Sequence, residues 1–409
     1  MAPTTRLVMD LADIRDFLCE LPCEEHTLYR AANFMTFPVV GFKTEPQDFV
    51  VEELPAYLPG GSGDHVFIRF RKTGLTTDEV VQRLGASLRA AMRDSGYAGI
   101  KDKHAVTTQW ASFLLPKIDP APLLASFADH PQIQIEEVSR HVNKLKPGHL
   151  LGNKFRVRLR RTETSPASLE EAFGVALADA AQHGVPNAFG DQRFGRAGKN
   201  AEFARRVVLG EVAAPRDKKR ARFLFSSLQS ELFNAVLQKR FEDGSWAVVL
   251  AGDVAKKEEN GALFDVPLGN TPEESEELEH ARTRAVAKEV CATGPMFGAS
   301  MREPKGLPAE IEREVLARSG LPADVWTRNR HLGEGTRRAL RLVAKDVAWR
   351  GLDDGDLEVE FVLGKGSYAT TFLETFVELA EPQRGPAPDA APSGADASVG
   401  DAAAEPSDG

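Results

Sequence analysis

Residues 154–160 read KFRVRLR, and no other segment restricts the fold so tightly. Side chains of a strand alternate between two faces, so Phe155, Val157 and Leu159 point one way and Lys154, Arg156, Arg158 and Arg160 the other. The segment is the clearest strand in the chain, with one packed face and one purely cationic face. His65–Arg71 alternates in the same way, with Val66, Ile68 and Phe70 together on one face. Further strand signals lie at Val39–Lys43, Asp48–Glu53, Gln109–Leu115, Leu357–Leu363 and Tyr368–Val377. Helical spacing appears in Thr76–Asp94, where Thr76 or Thr77 can cap a stripe of Val80, Val81, Leu84, Leu88 and Met92. Ser168–Gln182 and Ser227–Phe241 read as helices too. This mixture predicts an α+β protein.

The chain has 409 residues and a formal net charge of −9, which at first argues against a nucleic-acid partner. The charge is unevenly placed. Glu381–Gly409 holds six acids and one base, so its −5 leaves the remainder at −4. Glu273, Glu274, Glu276, Glu277 and Glu279 form a second acidic block. Against these, Arg140–Arg161 carries eight Lys or Arg and no acid, and Arg193–Arg222 carries ten against three. An acidic protein can still present a basic face to phosphates. Four like charges on the 154–160 strand, with no acid in the segment to pair them, favour an anionic partner.

Composition narrows the class further. No apolar run approaches the roughly 20 residues that span a bilayer, and the N-terminal residues lack the pattern of a secretory signal. The expectation is a cytoplasmic protein. Cys19 and Cys23 stand near His26, but a fourth ligand is missing, so reduced thiols rather than a zinc site are expected; Cys291 stands apart. No cofactor and no metal are expected.

Gly96–Phe113, GYAGIKDKHAVTTQWASF, holds the most informative chemistry. The apolar run Tyr97–Ile100 delivers Asp102 between Lys101 and Lys103, followed by His104, Thr107, Thr108 and Gln109. A carboxylate at the end of a buried strand, flanked by cations, is held ionised and in place. That is how a nucleophile or general base is built. An isolated Lys-Asp-Lys would read as a charged turn; three other segments change that reading.

The pattern G-x-K-D-x-x-A-x-T-x-Q resembles the catalytic-aspartate motif of TruD-type tRNA pseudouridine synthases. Residues 185–196, VPNAFGDQRFGR, are similar to that family's V-P-N-x-F-G-x-Q-R-F-G segment. Residues 363–371, LGKGSYATT, resemble its L-P-x-G-S-[FY]-A-T segment, and residues 43–53, KTEPQDFVVEE, its K-x-x-P-x-D-F-V-V-x-E. Four motifs in order form a specific signal.

The resemblance implies a pseudouridine-synthase-like catalytic domain, residues 36–212 and 343–380, around a mixed, mostly antiparallel sheet. It implies an inserted α+β domain at 213–342, with the active site in a cleft between the two domains and Asp102 at its floor; residues 1–35 read as an N-terminal extension, and the composition of 381–409 predicts a disordered acidic tail. Asp102 would be the essential carboxylate, its cation being Lys101, Lys103 or a distant Arg. It would either attack the ribose anomeric carbon or remove the proton from ribose carbon 2. Phe49 would line the uracil pocket, Asn187 would hydrogen-bond the nucleotide and Tyr368 would stack on the base. Apart from the resemblance, Arg193 and Arg196, which follow the Asn187 motif, would meet backbone phosphates or form structural ion pairs, and the alternation of 154–160 offers Arg156, Arg158 and Arg160 to such phosphates. The partner would be tRNA, and the target uridine position 13 in the D-arm. Two rivals remain: a non-catalytic tRNA-binding protein or chaperone using the same basic surface, and a nucleoside hydrolase acting through Asp102.

Overall fold

The computed structural model describes residues 38–195 and 199–382. The extension at 1–35, Arg196 and the tail beyond residue 382 lie outside the described residues. The chain divides into two compact units. One comprises residues 38–177 and 344–373 with residues 377–382. The other comprises 178–343 with 374–376.

The first unit is built on an eight-stranded sheet. Its strands are β1 (Phe49–Pro55), β2 (His65–Thr73), β3 (Val106–Leu114), β4 (Ile133–His141), β5 (Leu150–Leu159), β6 (Lys345–Gly351) and β7 (Leu357–Gly364), in spatial order β6-β7-β5-β1-β3-β2-β4. The two-residue strand Gly96–Tyr97 pairs with β3 as the eighth. The β1–β3 pair is parallel, and every other pair is antiparallel. The sheet is therefore mixed and mostly antiparallel, as the sequence predicts.

Alternation decides which residues fill the core. Val66, Ile68 and Phe70 of β2 and Ala111 and Phe113 of β3 bury one face against Val80, Val81, Leu84 and Leu88 of the helix Thr77–Leu88 (α1). Thr76 caps α1 by accepting from the Glu79 amide, while Glu79 reaches back to the Thr76 amide. This reciprocal pair satisfies two otherwise orphan donors and fixes where the helix begins. A chain of rings continues the core: Phe49–Phe155, Phe155–Phe361 and Phe361–Phe372 lie 5.9, 5.2 and 4.6 Å apart.

The opposite side of β5 corrects the expectation of an unpaired cationic row. The neighbouring strand β7 places Glu360 opposite Arg156 and Glu358 opposite Arg158, and the ion pairs run diagonally, Lys154 to Glu360 and Arg156 to Glu358. Arg158 pairs with Asp354 and Asp356, and Arg160 grips Asp48 with two bonds of 2.8 Å. The acids come from residues about two hundred positions along the chain or about a hundred before it, so a local count misses them.

A second correction concerns Tyr368–Val377. Residues Ala369–Leu373 form a short helix, and only Glu378–Ala380 is extended, pairing parallel with Val39–Gly41. Phe372 and Leu373 are fully buried by helical spacing from Ala369, which outweighs the β-propensity of the segment's threonines and aromatics.

The second unit holds a four-stranded sheet with the helices Lys199–Val208, Lys218–Glu242, Pro272–Val286 and Gly306–Ser319. The Lys218–Glu242 helix supplies Phe233 and Leu237 to one core and Leu224, Phe225, Leu228, Leu232 and Val236 to another. Residues on both of its sides are buried, which explains its unbroken 25 residues. The Arg240–Asp253 pair is fully enclosed at 3.0 Å. Among the described residues no helix is long and apolar enough to cross a membrane.

Candidate active site

Asp102 does not end a buried strand. Only Gly96 and Tyr97 are extended; residues 98–105 form a loop in which Ile100 is 45% exposed. The Asp102 side chain is 54% exposed. A carboxylate that must meet a substrate is better served by an accessible tip on a rigid support than by burial.

That support is built from side chains at the end of the α1-facing side of the sheet. Lys101 N donates to the Thr77 hydroxyl at 3.0 Å, and that hydroxyl donates to Gln109 Oε1 at 2.9 Å. Gln109 Nε2 in turn donates to the Gly99 carbonyl at 3.0 Å. The Lys101 ammonium points down onto Glu53, 2.9 Å away. Gly96 opens the segment, where a Cβ would lie 2.1 Å from the Leu145 carbonyl oxygen; only glycine fits.

The cations beside Asp102 are therefore not Lys101 and Lys103. Lys101 belongs to Glu53, and Lys103 lies 3.9 Å from Glu79. The ammonium of Lys43 is 3.4 Å from Asp102 Oδ1, and also 3.8 Å from Glu381. Lys43 has a left-handed backbone, φ 51°, uncommon outside glycine and often found at functional sites. Its ammonium sits 4.3 Å over the Phe49 ring and 5.0 Å over that of Phe42. Lys72, on β2, donates to the Asp102 backbone carbonyl at 2.7 Å. Sequence reading missed both lysines because they lie 59 and 30 positions away from Asp102. Lys43 opens a segment the resemblance had already singled out.

Phe49 is 2% exposed and packed edge-on against Phe42 at 5.3 Å. It is a core ring carrying Lys43 rather than an open wall. Tyr368 follows the Gly364–Ser367 turn, in which Gly366 has φ +79° and Ser367 N donates to the Gly364 carbonyl. Its ring is 42% exposed, in the same compact unit as Asp102.

Residues 39–215 and 216–376 match the family model for tRNA pseudouridine synthase D (TruD). The chain belongs to the TruD family. A tRNA pseudouridine synthase D from Anaeromyxobacter sp. (strain Fw109-5) is 41% identical over 344 residues, covering 82% of this chain and 92% of that protein. One from Thermus thermophilus is 37% identical, covering 84% and 90%. The fold is shared with a solved Methanosarcina mazei structure assigned as tRNA pseudouridine synthase D. The TM-score is 0.70 at 23% identity, over 85% of this chain and 95% of that one.

The described part of the TruD-like segment, residues 185–195, lies in the second unit. Asn187 is buried, and both ends of its amide are engaged. Nδ2 donates to the Ala339 carbonyl at 2.8 Å, and Oδ1 accepts from Arg338 at 2.6 Å. The Arg338 guanidinium lies 4.0 Å over the Phe189 ring. Each end of the amide keeps one further hydrogen-bonding position, a second N–H on Nδ2 and a second lone pair on Oδ1. Arg193 is held between Phe189 and Phe223, at 5.5 and 5.4 Å, and donates to Ser230 at 3.2 Å. The TruD-type motifs thus bring Asp102, Lys43 and Phe49 together in one unit, while Asn187 and Arg193 anchor a turn in the other.

Among the described residues no group of three or more His, Cys, Asp or Glu can hold a metal ion. Cys19, Cys23 and His26 lie outside them. Burial pushes the Cys291 thiol up to about 11, which leaves it inert.

Proposed function

We propose that this protein isomerises a uridine of tRNA to pseudouridine, with Asp102 as the essential carboxylate and position 13 of the D-arm as the target. An enzyme of this kind works where tRNA is, in the cytoplasm. The observation that carries the reading is the solvent-open Asp102 carboxylate, 3.4 Å from Lys43, on a loop pinned from beneath by Thr77, Gln109 and Lys101. The reaction breaks the bond from nitrogen 1 to the ribose and remakes it at carbon 5. It gains and loses no atom overall. An ionised carboxylate can begin it at the anomeric carbon or at the carbon 2 proton; Lys43 balances its charge in either case.

A stacked uridine must flip out to reach Asp102, at a cost of a few kcal/mol. The exposed ring of Tyr368 is suited to recover part of that by stacking. Arg156, Arg158 and Arg160 are engaged by acids, so residues 216–222 are the better seat for the RNA backbone. There Arg216, Lys218, Lys219, Arg220 and Arg222 are exposed. The single acid among them, Asp217, is occupied as the helix cap, accepting from Lys219 N at 2.9 Å. This cluster lies within the basic stretch that the sequence places at Arg193–Arg222.

The test is release of tritium from tRNA transcripts carrying uridine tritiated at carbon 5, with the modified position then mapped. Release from one D-arm uridine is expected. Binding without release would favour a chaperone, and free uracil would favour a hydrolase.

A further inference from the structure

Val66, Ile68 and Phe70 of β2 form an apolar row, and the next residue on that face is Lys72. Its relative exposure is 0%, so a full-length ammonium ends a hydrophobic face. Nothing in the reaction as described uses it. Burial without a specific role is costly for lysine, because water is given up and one hydrogen bond returns little of the loss. The bond it makes is to the carbonyl oxygen of Asp102, at 2.7 Å.

The groups around Lys72 come from three elements. The 98–105 loop brings Asp102, which favours the ammonium, and Lys101, which opposes it; α1 brings Glu79, which favours it. Across the ladder on β3 stands Thr107, fully buried, its hydroxyl without a hydrogen-bond partner among the described residues. This end of the core is polar and fully buried, with one hydroxyl that has no protein partner among the described residues, and it lies beneath the candidate carboxylate. Such a site persists where function maintains it.

We infer that Lys72 is a positioning residue for Asp102: its buried ammonium holds the carboxylate-bearing loop by the Asp102 carbonyl and sets a positive charge below the carboxylate, as Lys43 does from the side. The inference rests on the reading of Asp102 as the reactive carboxylate. A charged donor makes a markedly stronger bond than a neutral amine. Burial pulls Lys72 down to about 8, so the protonated form is lost within an accessible range. The charge also weakens the fold. Between the lowered value and the ordinary lysine value the unfolded chain binds more protons than the native one, so the contribution of Lys72 to stability rises with pH there. Removing the charge at neutral pH should therefore cost no stability.

The experiment compares the full-length wild type with Lys72→Met, a variant of similar length and no charge. Single-turnover pseudouridine formation at saturating protein is followed from pH 6.5 to 9.5, alongside thermal melting and tRNA affinity. The wild-type rate should fall as pH rises past about 8. Lys72→Met should be slower by about a hundredfold at pH 7, without that alkaline fall, with tRNA affinity and melting temperature unchanged or the latter raised. Wild-type turnover with an undiminished rate in the variant overturns this inference alone. So does a variant that loses its fold, since Lys72 would then be structural. Absence of pseudouridine in the wild type overturns the functional reading and this inference with it.

Discussion

Lys101, the residue immediately before Asp102, turns its ammonium onto Glu53 at 2.9 Å, with both side chains buried. The adjacent lysine thus anchors the loop, and the more distant Lys43 accompanies the carboxylate. Glu53 Oε1 also accepts from the Trp110 amide at 3.3 Å, tying β1 to β3. Removing one member of such a pair strands the other charge. Lys101→Met should therefore lower unfolding stability by about 3–5 kcal/mol, read from denaturant midpoints. A loss below about 1 kcal/mol would mean that water reaches the pair.

Tyr368 should act through its ring. Tyr368→Phe is expected to keep turnover near that of the wild type, because stacking needs only the π face. Tyr368→Ala should lose about 1–3 kcal/mol of nucleotide stacking, seen as a fall in kcat/KM. A defect in the Phe variant as large as that in the Ala variant would instead assign the work to the hydroxyl.

Changing Lys218, Lys219, Arg220 and Arg222 to Gln should weaken tRNA binding and flatten its salt dependence, each lost phosphate contact reducing the log–log slope by up to roughly 0.7–0.9 units. Arg156→Gln with Arg158→Gln should leave the slope nearly unchanged, since Glu358, Asp354 and Asp356 already hold these cations. Binding titrations at several salt concentrations decide it. The reverse pattern would return the RNA to the β5 face.

What was legible in the sequence follows the reach of each interaction. The strand at Leu150–Leu159 and the cap and stripe of Thr77–Leu88 are visible because period and capping are local. Motif order carried the family, and with it the mixed sheet; it also singled out Asp102 as the candidate carboxylate. The environment of Asp102 was not legible: Lys43, Lys72 and Glu53 converge through strand pairing, which a linear reading does not contain. Likewise the acids facing Arg156 and Arg158 arrive on or just before β7, a strand that neighbours β5 in space but follows it by about two hundred positions in the chain. The extended reading of Tyr368–Val377 failed because β-rich composition over a short span is outweighed by the packing of Phe372 and Leu373.

The central claim is that the Asp102 carboxylate does the chemistry, and Asp102→Asn tests it most directly. The amide is nearly isosteric and leaves the Lys72 bond to the backbone carbonyl in place, but it can serve neither as nucleophile nor as base. Tritium release from tRNA labelled at uridine carbon 5 is measured for both proteins, with tRNA affinity in parallel. The account predicts release from the wild type, none above background from the variant, and affinities within a few fold of each other. Near-normal release by Asp102→Asn would contradict it.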